Sequence, residues 1–552
     1  MLGRMSVTIA PPDGVYDAPR PAVRSPLQAP VRAFSQLRSR LPADPALAWI
    51  ATGVITMIAA LIRLWGIGFP DHATYGYVFD ETYYAPEARE ILNNGGYENN
   101  PGYMFIVHPP MGKWLIAVGE WLFTDHLHWA PEYGYRIPSA IAGTLAVLIL
   151  IRVTRRITGS TLLGCTAGLL LAVDGLSVVQ SRTALLDIFL QTLVIGAFAC
   201  LVVDRDRVRE RLAVASASPD GYGPGGPALG PRTWRVAAGL LIGLACAVKW
   251  SAIYFGAGFF VLSILWDRAA RRSAGIRRPT RGALLRDLPA SVGALLVLPT
   301  LTYFATWLGW LVGENGYNRH WGDTHPASWA SMNPLDLWGG QPGIHLRLEP
   351  SRWAILPGAF RSLFQYQGTA LHFHNNLTSP HPYQSAPWSW LVLGRPVSYY
   401  YPGGNQAPHG CGANSCVREI LAIGTPALWW AFIPALLWMA WLLFTRRDWR
   451  AGAVLMAFAA GWGTWMINLD RTMFLFYMVP LVPFLILAVT MALGDVLGPA
   501  DAGESRRLWG LVAFCGYLGL VVADFVWMHP LFVGSLMSYD DWHARIWFPS
   551  WV

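Results

Sequence analysis

Residues 235–266 read RVAAGLLIGLACAVKWSAIYFGAGFFVLSILW, an apolar run interrupted at Lys249-Trp250-Ser251. A helix needs about 20 residues to cross about 30 Å of hydrocarbon. The run is therefore either one over-long helix or two helices in a tight hairpin around the lysine. The two readings send all that follows to opposite sides of a membrane. Charge decides between them. With a hairpin, Arg268, Arg271, Arg272, Arg277, Arg278, Arg281 and Arg286 share a side with the N-terminal arginines. Arg152/Arg155/Arg156, Arg205/Arg207/Arg209/Arg211 with Arg232 and Arg235, Arg446/Arg447/Arg450 and Arg506/Arg507 fall there too. Most of the 41 basic residues then flank the cytoplasmic side, as the positive-inside rule requires. One span fewer throws half of them outside.

The rest of the chain agrees with that frame. Hydrophobic residues make up 54% and charged ones 13%, with 28 Trp and a mean hydropathy of +0.35. This is the composition of an all-α polytopic membrane protein. Eleven spans are expected near 46–69, 137–151, 159–175, 184–203, 235–248, 250–266, 287–312, 422–444, 451–468, 472–494 and 508–528, with the N-terminus cytoplasmic and the C-terminus extracytoplasmic. The net charge of +8 is then a topogenic signal and gives no support for nucleic-acid binding. Residues 1–45, rich in Pro, Ala and Arg, read as a disordered cytoplasmic tail. No cleavage-site pattern precedes the first apolar run, which reads as a retained signal-anchor. The membrane domain is expected over 46–528, with long external loops at 70–136 and 313–421, and 529–552 as an external tail. The stretch 212–231 reads as a floppy cytoplasmic loop. Cys411 and Cys416 share a Gly/Asn-rich external loop and suit a disulfide, two free thiols being the alternative.

Chemistry-bearing residues collect on the external side. Asp80 and Glu81 follow the first span in Val78-Phe79-Asp80-Glu81-Thr82-Tyr83-Tyr84. A carboxylate pair at a membrane surface pays in desolvation and repulsion, so it marks chemistry or an ion site when it is not a solvated loop pair. The only two lysines, Lys113 and Lys249, fall on the same side or at its boundary. Arg136, Arg182, Asp187 and Asp470-Arg471 do as well. Acids beside several cations suit an anionic lipid headgroup; snorkelling and helix-end pairing are the bland alternative. Ala85–Leu92 reads as a short surface helix and 113–123 as a helix lying in the interface. The second loop contains His372-Phe373-His374-Asn375-Asn376 and His381-Pro382-Tyr383-Gln384-Ser385. Aromatics with amides there suit a sugar or peptide. The His-x-His pair lacks nearby carboxylates or cysteines to complete a metal site, so no metal is expected.

In order along the chain, Phe79-Asp80-Glu81, His108-Pro109-Pro110-Met111-Gly112-Lys113, Arg136-Ile137-Pro138-Ser139 and His374…His381-Pro382-Tyr383-Gln384-Ser385…Arg395-Pro396-Val397 resemble the protein O-mannosyltransferases of the bacterial, actinobacterial kind. Arg182…Asp187 and Val248-Lys249-Trp250 also look like family positions. The resemblance runs over most of 46–528. It implies the GT-C glycosyltransferase fold, with about eleven transmembrane helices. It further implies transfer of mannose from polyprenyl-phosphate mannose to Ser/Thr hydroxyls of exported proteins at the external face of the cell membrane, with the Sec translocon as a partner. Asp80 is then the general base and Glu81 orients the acceptor or the backbone around it. Arg136 and Lys249 hold the carrier phosphate or position the acids; Arg471 and Arg182 are further phosphate candidates. His381, Asn376, Tyr383, Gln384 and Lys113 are candidates for sugar or acceptor contacts. Inversion at the anomeric carbon, independence from metal and the absence of any cofactor are expected. Eukaryotic members carry β-trefoil repeats in the second long loop, which this sequence does not suggest.

Other enzymes of the same fold could act on a lipid or glycan hydroxyl. A transporter would place its charges near mid-membrane on inversely repeated helices, which are not evident here. An asparagine-linked oligosaccharyltransferase would show Trp-Trp-Asp in a large external domain, whereas Trp429-Trp430 lies in a span before Ala431. Asp204-Arg205-Asp206 spells a nucleotide-sugar motif but falls on the cytoplasmic side, where a solvated span flank is expected.

Overall fold

The computed structural model describes residues 45–98, 107–216, 223–324, 357–403, 407–499 and 501–552. The expected tail at 1–45 lies almost wholly outside them. Among the described residues, eight helices are long and apolar enough to cross a membrane: Ala46–Leu64, Pro131–Thr158, Asp187–Ala215, Ala252–Ser273, Pro279–Ala305, Pro426–Arg446, Leu475–Leu497 and Glu504–Val533. A ninth candidate is a helix pair, Thr161–Ala172 and Gly175–Ser181, bent by 64°. Two shorter helices, Thr233–Cys246 and Trp449–Trp462, take the remaining expected positions. Each of the eleven apolar runs thus has a helical counterpart. The chain is a multi-pass membrane protein.

The deciding run does break into two helices. Thr233–Cys246 ends where Lys249 N–H bonds back to Ala245 O, and Ala252–Ser273 begins after Ser251. Lys249 sits in the break. The bent pair is tolerated because its freed carbonyls find a donor. Arg63, 0% exposed, donates to Leu171 O and Ala172 O and to the hydroxyls of Ser177 and Ser181. Asp174 caps the second half by accepting from Ser177 N–H and also accepts from the Trp429 indole.

The helix Asp187–Ser216 continues through Asp204-Arg205-Asp206, and these acids are not solvated. Asp204 takes Arg232 through both oxygens at 2.9 and 2.6 Å and also meets Arg235, while Asp206 pairs with Arg156. Asp267 and Asp287 complete a buried network with Arg232, Arg235 and Arg271. Arg271 also ties down Gly225 O and Pro227 O, so part of the expected floppy loop is anchored.

At the other end of the bundle, Glu81–Asn93 is not a surface helix. Tyr84, Ala85, Glu87, Ala88 and Ile91 are buried. Met111–Gly119 runs into a π-helical turn, Glu120–His126, with Val118 and Trp121 exposed. The second long loop contributes the helix Gly358–Asn375 and two small antiparallel ribbons. β1 (Val397–Tyr400) pairs with β3 (Ile420–Ala422); β2 (Cys416–Val417) pairs with β4 (Met537–Ser538). Cys411 and Cys416 form a disulfide. The residues expected as an external tail are packed. Trp551 is 0% exposed and donates to Leu393 O, and the Trp542 indole donates to Glu419.

Candidate active site

The site end is built around the turn Val78–Glu81. Phe79 adopts φ 48°, a backbone state costly for an aromatic residue. Its ring stacks on Tyr399 of β1 at 4.4 Å and meets Phe476 edge-on. That turn separates the fates of the two acids. Glu81 is 0% exposed and saturated. It accepts from Arg136 Nε and Nη2 at 2.8 Å each, from Val78 N–H at 3.0 Å and from Ala184 N–H at 2.9 Å. Asp80 occupies the N-cap of Glu81–Asn93, where an aspartate normally accepts from the helix's own N–H groups. Its carboxylate makes no such bond, and no other hydrogen bond or ion pair to a described residue. Loss of bulk water pushes this carboxyl up to about 6; Lys249 pulls it down and Asp187 pushes it further up.

Lys249 ion-pairs with Asp187 at 2.7 Å and lies over the rings of Phe476 and Tyr477 at 5.8 and 5.6 Å. The break that carries it is fixed from the other side, since Met111 N–H donates to Ala247 O. A Cβ on Gly112 would come within 2.6 Å of Leu186 Cδ2, so this seam is closely packed. Arg471 lies nearby. Its Nε donates to His374 O at 2.8 Å, and its guanidinium faces the rings of Trp465 and Tyr477. Two histidines stand between these cations. The rings of His108 and His374 are 5.3 Å apart, and His108 also faces Tyr84. Burial, then Lys249 and the neighbouring His374, Lys113 and Arg471, hold His108 well below the usual imidazole range. Burial and Arg471 push His374 down to about 4. Both rings are neutral near pH 7.

Lys249 thus acts on Asp80 and shares the Tyr477 ring with Arg471. Arg136, 0% exposed, spends its donors on Glu81, Ile67 O and Pro70 O. Arg182 donates to the carbonyls of Ile62, Arg63, Trp65 and Gly66, closing the end of the first helix, and does not meet Asp187. Lys113, also 0% exposed, is clasped by Glu87 and Glu98. His381, Tyr383 and Gln384 form a turn: Gln384 Oε1 accepts from His381 N–H, the His381 ring meets Phe474 edge-on, and Arg395 faces Tyr383. Asn376 is exposed and bonds back to His372 O. The loop is held to the 466–474 segment by Thr472 N–H to Leu377 O and Ser385 N–H to Met473 O. His372 and His374 part company, His374 bonding Val107 O. No group of three or more His, Cys, Asp or Glu side chains among the described residues could hold a metal ion. The assignment of site residues from sequence missed His108 and His374. Their signal was present as His-Pro-Pro and His-x-His, but spacing alone did not bring the two rings together.

Known proteins resemble this chain along its length. The family model described as dolichyl-phosphate-mannose-protein mannosyltransferase matches residues 53–308, and that for the C-terminal four TMM region of protein-O-mannosyltransferase matches 359–551. A polyprenol-phosphate-mannose–protein mannosyltransferase of Mycolicibacterium smegmatis is 41% identical over 517 residues, covering 92% of this chain and 94% of its own. That of Corynebacterium glutamicum is 34% identical over 526 residues, covering 92% and 96%. Among solved structures, the S. cerevisiae protein O-mannosyltransferase Pmt1-Pmt2 complex bound to the sugar donor superposes with a TM-score of 0.66 at 16% identity, covering 94% of each chain. That likeness bears on the fold, a GT-C arrangement.

Proposed function

This chain belongs to the protein O-mannosyltransferases, and on that premise we propose that Asp80 is the general base with which it moves mannose from polyprenyl-phosphate mannose onto Ser and Thr hydroxyls of exported proteins. The observation that carries the assignment is the contrast between neighbours. Glu81 has every lone pair engaged, whereas Asp80 has no partner among the described residues. A base must be free to accept the hydroxyl proton as the oxygen attacks. The leaving group is a lipid phosphate, a weak base that needs charge stabilisation more than protonation. Lys249 and Arg471 supply fixed positive charge in a partly dry site, where it acts most strongly. Arg136 acts through Glu81, fixing the Asp80 turn, and Arg182 through the end of the first helix. Lys113 acts through Glu87 and Glu98.

The rim residues His381, Tyr383, Gln384 and Asn376 contact sugar or acceptor. A single displacement inverts the anomeric carbon. A monophosphate donor has no diphosphate for a divalent ion to bridge, so the reaction runs without metal. The site opens to the extracytoplasmic face of the cell membrane, where emerging chains leave the Sec translocon.

The test is membranes bearing D80N, given labelled polyprenyl-phosphate mannose and a Ser/Thr-rich peptide. Transfer to the peptide should drop by about 10²–10⁴-fold. Turnover at the parental rate overturns the assignment.

A further inference from the structure

A buried lysine beside an unpaired carboxylate ordinarily closes on it, because an isolated charge in a poorly hydrated place is costly. At this site it does not. Lys249 and Asp187 are the charged groups that act on Asp80, yet the ammonium is 2.7 Å from Asp187 Oδ2. Both partners are nearly out of solvent, with side chains 11% and 4% exposed. Each is fixed by rigid backbone. Asp187 opens the helix Asp187–Ser216, where a negative charge suits the helix N-terminus. Lys249 is pinned in the hairpin break by its own N–H to Ala245 O and by Ala252 N–H to its carbonyl. The rings of Phe476 and Tyr477 cover the ammonium.

We propose that Asp187 is a positioning residue of this reaction: by holding Lys249 in an ion pair it keeps the cation off Asp80 and leaves the base open to the acceptor hydroxyl. The inference rests on Asp80 being that base. Its consequences have a sign. With Asp187 neutralised, Lys249 turns to Asp80, the carboxylate is stabilised, and it becomes both a weaker base and a blocked one. With Lys249 neutralised, Asp80 and Asp187 face each other uncompensated, and Asp80 holds its proton to higher pH.

Other groups around Asp80 come from every packed element. They are Glu81 with Arg136 behind it, Tyr84 one turn along the same helix, Tyr399 on β1, Tyr477 and Arg471 on the 471–477 segment, and His108 with His374. Burial holds Tyr84 and Tyr399 above their ordinary value and His108 and His374 below theirs, away from the range in which Asp80 takes its proton. The acidic limb of the rate profile therefore reports Asp80 under the influence of Lys249 and Asp187.

The experiment is the pH dependence of mannose transfer to peptide by the full-length protein in membranes, for D187N, D187E and K249Q. D187N should lower the plateau at least tenfold and move the acidic limb down by about one pH unit. D187E, which keeps the charge, should hold the limb near the parental position. K249Q should move it up. A D187N variant too slow to assay is read instead by titrating the infrared carboxyl band that D80N removes, with the same shift expected. Should D187N not accumulate, K249Q reads the same couple from its other side. An unmoved limb or band in D187N or in K249Q overturns the inference. Turnover by D80N at the parental rate overturns the base assignment itself, a separate result.

Discussion

Asp80 and Glu81 differ by one methylene and one position, and their surroundings give them opposite requirements. Burial raises the Asp80 carboxyl to about 6. As the proposed base, Asp80 works deprotonated, so the rate of transfer should be level above that pH and fall about tenfold per pH unit below it, measured as kcat/KM against pH. The same shift has a stability sign. A folded-state value above the unfolded one means that the cost of holding Asp80 charged grows as pH rises from about 4 to 6 and is fully present above it. D80N should therefore raise the Tm at pH 7.5 while lowering transfer about 10²–10⁴-fold, as expected for loss of the base. E81Q should instead lower stability, by about 3–5 kcal/mol, because it leaves the buried Arg136 guanidinium short of its partner. The candidates Asp80, Lys249 and Arg471 were legible in the sequence because charge is rare in this chain. The partners of Arg136, Arg182 and Lys113 were not. Arg136 meets an acid 55 positions away and Arg182 a carbonyl 117 positions away, and only packing decides such encounters.

Elements were legible where apolar runs had polar ends. The hairpin at Lys249 follows from arginine placement alone. The helix Asp187–Ser216 outruns its apolar stretch because Asp204 and Asp206 find buried arginines, which no local pattern announces. The bend at 172–175 was equally silent, since the arginine that satisfies it comes from the first helix. Close helix packing gives a prediction at this scale. A Cβ on Gly239 would fall 1.8 Å from Ala294 O, a backbone atom that cannot swing away. G239A should force apart the helix Thr233–Cys246 and the 279–305 span, lowering Tm and the yield of folded protein in detergent, whereas G516A, with nothing within 4 Å, should do neither.

Across the whole molecule, the described parts of the two long loops and the last residues are tied to one another, His374 to Val107 O and Arg395 to the 550–552 carbonyls. Arg395 is the clasp: it donates to Pro382 O, Ser550 O and Val552 O, and faces Tyr383. R395A should raise the KM for acceptor peptide with little change in the pH profile, and should expose 382–395 to protease. Exhaustive chelation should leave transfer at its starting rate; loss of activity restored by one divalent ion would break the metal-free reading. The short ribbons were invisible in the sequence, being only two to four residues long, and β2 finds its partner β4 more than a hundred positions away. Pairing of β2 with Met537–Ser538 fastens the second long loop to a segment after the last span. Proteolysis just before residue 537 should therefore leave a fragment that is stable in the membrane yet silent as a transferase.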